Sequence, residues 1–180
     1  MKRILRDYSY LALISGTIIL LDQISKNWIR ANLPMGQVWI PWEGLPFARI
    51  VHWYNTGVAF GMFQGGNQFF SILSIGVALI IIYFYSQVPA KDWPLRLAMA
   101  FQLGGAVGNL IDRLTIGHVT DFVQVGNFPV FNVADSSITL GVGVLLIGVW
   151  LQERKEKGLQ KLELVPGPDP SSNSEVASRE

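Results

Sequence analysis

Four blocks of predominantly apolar residues, separated by polar stretches, organise this chain: about Tyr8 to Ile29, Gln68 to Gln87, Leu95 to Leu114 and Ala134 to Leu151. Each is close to the roughly 20 residues that a helix needs to cross the hydrocarbon of a bilayer. The pattern predicts an all-α polytopic membrane protein with four transmembrane helices in one domain, residues 1–158. In the stretch after the third block, VTDFV (residues 119 to 123) has the apolar flanks of a short strand at a membrane surface. Beyond Gly158 the sequence ends PGPDPSSNSEVASRE, polar and rich in Pro and Ser, so residues 159–180 are expected to be a disordered cytoplasmic tail.

The first block follows Lys2, Arg3 and Arg6, as in a secretory signal peptide. It lacks a small-residue cleavage pattern and three more blocks come after it, so it reads as a retained anchor. With four spans both ends share one side. That side holds Lys2, Arg3, Arg6, Lys91, Arg96, Arg154, Lys155, Lys157, Lys161 and Arg179 of the 14 basic residues, against Lys26, Arg30, Arg49 and Arg113 on the other. The positive-inside bias puts both termini in the cytoplasm and the loops 31–67 and 115–133 outside.

Composition agrees, with 50% hydrophobic and only 15% charged residues. A net charge of +1 gives no reason to expect nucleic acid as a partner. The absence of cysteine excludes disulfides, thiolate metal sites and a cysteine nucleophile. Any chemistry here uses oxygen or nitrogen groups.

Ionisable groups at membrane depth are expensive and mark function by default. Asp22, Lys26, Asp112, Arg113, Asp121 and Asp135 all fall toward the outer face by this topology. Asp22 and Lys26 are spaced for an ion pair on one helix face, with a solvated pair at a helix end as the plain reading. Gly104 and Gly108 form a small-xxx-small packing seam, and Asn109 lies one turn before Asp112 and Arg113. Asp135, followed by Ser136 and Ser137, suits the start of the last helix as a cap. Asp121 precedes it by 14 residues, and the turn formers Gly126, Asn127 and Pro129 allow the connection to fold back.

Two carboxylates brought together share a proton, one serving as general base on water while the other donates to a carbonyl. The sequence has neither an HExxH nor a GxSxG motif. His118 with Asp121 lacks a third metal ligand at suitable spacing, so no metal and no other cofactor is expected. A small transporter or channel and a non-catalytic assembly factor are the competing classes. The first gathers polar groups near the bilayer midplane, and the second has no use for paired acids.

LDQISK (21 to 26), NTGVAFG (55 to 61), GGAVGNLIDRL (104 to 114), VTDFV (119 to 123) and FNVADSSI (131 to 138) resemble, in order, the signature blocks of bacterial lipoprotein signal peptidase, signal peptidase II. The resemblance covers most of residues 8 to 151. It implies an aspartic endopeptidase of the bacterial inner membrane that cuts prolipoproteins before a diacylglyceryl-modified cysteine. Its partners would be those prolipoproteins and membrane lipids, without an obligate protein partner. Asp121 and Asp135 match the catalytic pair. Asp22, Lys26, Asn55, Gly57, Gly108, Asn109, Arg113, Asn132 and Ala134 match substrate-binding or supporting positions. The family fold adds a small extracytoplasmic β-rich platform to the helices, and FARIVHWYNTGVAFG, rich in β-branched and aromatic residues, fits it. The loop aromatics Trp39, Trp42, Trp53, Tyr54, Phe60 and Phe63 would lie at the membrane surface over the pair. Gly57, Gly61, Gly65 and Gly66 would be its flexible points, and the Asn55 amide would bind substrate backbone.

Overall fold

The computed structural model describes residues 2–41, 44–45, 47–57 and 63–163, with side chains from Arg6 to Lys157. Trp42, Phe60, Gly61 and residues 164–180, on which parts of the loop and tail expectations fall, lie outside the described residues. Seven elements follow one another: α1 (Lys2–Asn32), β1 (Val38–Trp39), β2 (Ala48–Asn55), α2 (Asn67–Tyr85), α3 (Trp93–Thr115), β3 (Val119–Val125) and α4 (Val133–Glu163). All four apolar blocks are helical. α1 and α4 run past the expected ends, because a helix already satisfies its own backbone and can continue into polar sequence without exposing unpaired groups.

Among the described residues three helical stretches are long and apolar enough to cross a membrane: Arg6–Asn32, Asn67–Tyr85 and Val133–Lys157. α3 is not one of them. It carries Arg96, Gln102, Asn109, Asp112 and Arg113, and much of its remainder is glycine and alanine.

Inside and outside are inverted relative to a water-soluble protein. Leu13, Leu20, Leu79, Ile80, Tyr83, Leu140, Leu146 and Ile147 are exposed, whereas Asp22, Lys26, Asp112, Asp121 and Asn132 are among the most completely buried side chains. The buried face of α1 shows why. Its residues Asp7, Leu11, Ser15, Ile18, Asp22, Lys26 and Ile29 recur at three- and four-residue steps, a single stripe turned toward the other helices. Leu11, Ala78, Ile81, Tyr85, Ala100 and Leu103 form the apolar core between α1, α2 and α3.

Glycines set the distances. A Cβ on Gly104 would lie 2.8 Å from Ile18 Cβ, and one on Gly108 2.8 Å from Asp22 Oδ2. One turn further on, Lys26 meets Asp112. The pairs advance together along both helices, so α1 and α3 run parallel in close contact. Gly105 faces α4 instead, where a Cβ would lie 2.5 Å from Ala134 O and 2.6 Å from Ser137 Oγ. The expected seam therefore serves two neighbours.

The three strands form an antiparallel sheet in the order β1-β2-β3. Trp53 pairs with Asp121 and Asn55 with Val119 across β2 and β3. After β3 the chain turns through Gly126, at φ +54°, and comes back so that Phe131 exchanges backbone bonds with Val123 at 2.8 and 2.9 Å. That fold-back brings Asn132 and the start of α4 beside Asp121.

Residues up to Leu145 form one compact unit and those from Leu146 a second. In the second, Arg154 lies over the Trp150 ring at 4.1 Å and Lys157 pairs with Glu153 at 3.8 Å.

Candidate active site

Asp121 and Asp135 line one cavity of about 600 Å³, together with Asn55, Gly57, Asn109, Arg113 and the apolar wall of Phe128, Pro129, Phe131, Ile138 and Leu140. The strand β3 delivers Asp121, and the first turn of α4 delivers Asp135.

Asn132 joins them. Its Nδ2 donates to Asp121 Oδ1 at 2.7 Å, and its backbone N–H donates to Asp135 Oδ2 at 3.2 Å. In return its Oδ1 accepts the Asp135 N–H at 2.9 Å. Asn132 is thus the cap of α4 and Asp135 the third residue of a reciprocal capping box, which corrects the expectation that Asp135 itself is the cap. The remaining oxygens are held in the same way. Asn55 Nδ2 donates to Asp121 Oδ2 at 2.9 Å, and Asn109 Nδ2 donates to Asp135 Oδ1 at 2.8 Å. Each of the four carboxylate oxygens therefore receives an amide N–H.

Burial pushes the Asp121 carboxyl up from its ordinary 3.8 to about 7, with the neighbouring Asp135 charge adding to the effect. The amides of Asn55 and Asn132 and the Lys26 ammonium act the other way. A carboxyl so placed exchanges its proton near neutral pH, as an acid–base group must.

Behind the pair lies a second layer of charge. Asp22 and Lys26 meet at 2.8 Å with neither exposed at all, so they are not the solvated, snorkelling pair of the plain reading. Helix α3 covers them through Gly108 and removes the water. Lys26 also reaches Asn109 Oδ1 at 2.9 Å and Asp112 Oδ2 at 3.5 Å. Asp22 Oδ1 accepts the Ala134 N–H at 3.0 Å, satisfying a free donor at the start of α4. Asp112 binds Arg30 at 3.3 Å and the Thr120 N–H at 3.0 Å, tying α1, α3 and β3 together.

Arg113 enters the cavity wall without a carboxylate partner among the described residues. Its guanidinium lies 5.6 Å from the centre of the Phe70 ring, makes a long 3.5 Å contact to Gly57 O, and leaves Nε buried without a partner. Both ends of the Asn55 amide are occupied: Oδ1 accepts the Gly57 N–H at 2.9 Å while Nδ2 donates to Asp121. Trp39 packs against Trp28 at 5.7 Å, and Trp53 and Phe63 are exposed.

Sequence reasoning missed three members of the charge layer, Gln23, Arg30 and Thr120, and undervalued Asp112. Gln23 Nε2 bonds Gly108 O at 3.0 Å, and Arg30 bonds Thr120 Oγ1 at 2.8 Å. Arg30 lies one turn beyond Lys26, which was the available signal. It also missed a buried ion pair elsewhere, Arg96 against Asp7 at 3.0 and 3.1 Å, beneath the Tyr85 ring. Not every buried charge therefore belongs to the group around the cavity. His118 stacks on Tyr54 at 3.9 Å and His52 bonds Leu33 O at 2.7 Å. Among the described residues no group of three or more His, Asp or Glu side chains is placed to hold a metal ion.

Fold and site define a helical membrane protein whose cavity is built on two amide-held carboxyl groups. A sequence model of the family described as Signal peptidase (SPase) II matches residues 14–151. The lipoprotein signal peptidase of Dehalococcoides mccartyi is 46% identical over 134 residues, 72% of this chain and 82% of that protein. The enzyme of the same name from Listeria welshimeri is 38% identical over 84% of this chain and 99% of its own length. A solved structure described as a bacterial membrane enzyme obtained by the in meso method superposes with a TM-score of 0.75 at 31% identity, covering 83% of this chain and 92% of that one. The chain belongs to the signal peptidase II family, a family of peptidases.

Proposed function

We propose that this chain is an intramembrane aspartic endopeptidase that removes signal peptides from lipid-modified prolipoproteins, cutting before the diacylglyceryl-cysteine. The observation that carries this reading is the placement of Asp121 and Asp135 on one cavity, bridged by Asn132 and held by amide donors on every oxygen. One carboxyl, ionised, takes a proton from water as the water attacks the scissile carbonyl. The other donates to the carbonyl oxygen. Asp121, raised toward neutrality by burial, suits the donor, and Asp135, at the positive end of α4, suits the base.

Membership of the family supports the substrate class, since its curated relatives are lipoprotein signal peptidases. The cavity supports it as well. One wall is apolar and suits acyl chains, and the other presents Arg113, whose free Nε faces no acceptor and suits a substrate carbonyl. In this reading all four helices span the inner membrane, with both termini cytoplasmic and the site at the outer face. α3 is included despite its polar content because its polar side is covered by α1 and α4 and never meets lipid. The domain runs over residues 1–158, and the remainder is a cytoplasmic tail.

The test is cleavage of a lipidated precursor peptide by purified protein carrying Asp121→Asn or Asp135→Asn. Both variants should fold and neither should cut. Near-normal turnover by either one would remove the pair.

A further inference from the structure

We propose that Lys26 is a positioning residue for the carboxyl pair, acting through Asn109; this rests on the reading of Asp121 and Asp135 as catalytic. Lys26 touches neither aspartate. Its ammonium is wholly buried and has three acceptors for its three N–H bonds: Asp22 Oδ2 at 2.8 Å, Asn109 Oδ1 at 2.9 Å and Asp112 Oδ2 at 3.5 Å. An ammonium can only donate. It therefore requires the oxygen end of the Asn109 amide, which leaves the Nδ2 end for Asp135 Oδ1 at 2.8 Å. A reversed amide would put N–H against ammonium on one side and carbonyl oxygen against carboxylate on the other.

The same polarity passes to the second aspartate. Asn109 Oδ1 also accepts from Asn132 Nδ2 at 3.1 Å, and the other hydrogen of that nitrogen goes to Asp121 Oδ1 at 2.7 Å. Asn132 reinforces the orientation of Asn109, but it is neutral. From this side Lys26 and Asp22 both bring charge to the pair, with opposite signs. Asp121 is faced by Asp135 from α4, Lys26 from α1 and Arg113 from α3, and the Lys26 charge favours its ionised form. Behind Lys26 the cluster is balanced, Asp22 and Asp112 against Lys26 and Arg30.

A structural account would have Lys26 serve only to neutralise Asp22, and the two accounts separate in a double variant. Lys26→Met alone strands buried charge and is expected to lose stability. Asp22→Asn with Lys26→Met removes both partners, keeps an oxygen for the Ala134 N–H, and leaves Asp112 paired with Arg30. Purified full-length protein is assayed on a lipidated precursor peptide between pH 5 and 8, beside thermal unfolding. The double variant should melt near the wild type, with KM within about threefold and kcat reduced roughly tenfold or more. Wild-type kcat in a folded double variant would overturn the proposal. An inactive Asp121→Asn alongside that result would confine the failure to Lys26, whereas an active Asp121→Asn would sink the catalytic reading itself.

Discussion

Asp121→Asn should change stability in opposite directions at low and high pH. Raising a carboxyl from 3.8 to about 7 means that burial and the Asp135 charge disfavour the ionised form by about 4 kcal/mol. Part of that is mutual repulsion, which a proton on either partner relieves, so about 2 kcal/mol belongs to Asp121 alone. The folded-state value lies above the unfolded one. Stability is therefore complete below about pH 4 and is lost as pH rises toward 7. An asparagine carries no charge to desolvate and removes this loss. Its own cost is a hydrogen bond. Asn55 Nδ2 and Asn132 Nδ2 both donate to the present carboxylate, and an amide offers only one oxygen. Asn55 can turn over only by giving up the Gly57 N–H, at a cost of about 1 kcal/mol.

At pH 8 the variant should thus gain about 1 kcal/mol, raising Tm by roughly 2–4 °C for a chain of this size, and at pH 4 it should lose about as much. The assay is thermal unfolding in detergent at both pH values, read as variant minus wild type so that titrating groups away from the pair cancel. A difference in Tm that is the same at pH 4 and pH 8 would refute the elevated protonation of Asp121.

Two further outcomes are expected. Gly105→Ala places a methyl against Ala134 O and Ser137 Oγ and should destabilise by about 1–3 kcal/mol, whereas Gly16→Ala, with nothing within 4 Å, should be neutral or slightly stabilising; equal Tm values for the two would contradict the close approach of α3 and α4. Asn55→Ala removes a hydrogen bond to Asp121 and should lower kcat about tenfold or more with membrane insertion intact, while Trp39→Ala, whose half-exposed ring packs on Trp28, should cut normally; similar small effects from both would leave Asn55 without a part in holding the pair.

The helices were legible because lipid enforces long apolar runs, and β3 because Val119 and Phe122 flank Asp121. The fold-back between the aspartates was legible from Gly126, Asn127 and Pro129. What escaped was the sidedness of polar residues. Whether Asp22 and Lys26 meet water depends on Gly108 of another helix, and one helix's spacing carries no information about that. β1 is too short to leave a pattern. Asn55 shows a further limit, since its amide type was readable but its two partners were not. They come from a strand register, Asn55 against Val119, that places it beside Asp121.

The buried charges are better explained by position than by stability. Removing one member of a buried pair costs about 3–5 kcal/mol, yet replacing the whole pair with apolar groups is often neutral or stabilising. A cluster of Asp22, Lys26, Arg30 and Asp112 is therefore a poor way to hold helices together if holding is all it does. Three of the four also end on a group that fixes the cavity. Asp22 takes the Ala134 N–H beside Asp135, Lys26 takes the Asn109 oxygen, and Asp112 takes the Thr120 N–H beside Asp121. Apolar replacements would leave those three polar groups buried without partners, at about 1–3 kcal/mol apiece, and would free both carboxyl groups to move. The ions locate the two ends of the pair from behind, Asp22 and Lys26 from α1 and Asp112 from α3, and none of the three lines the cavity.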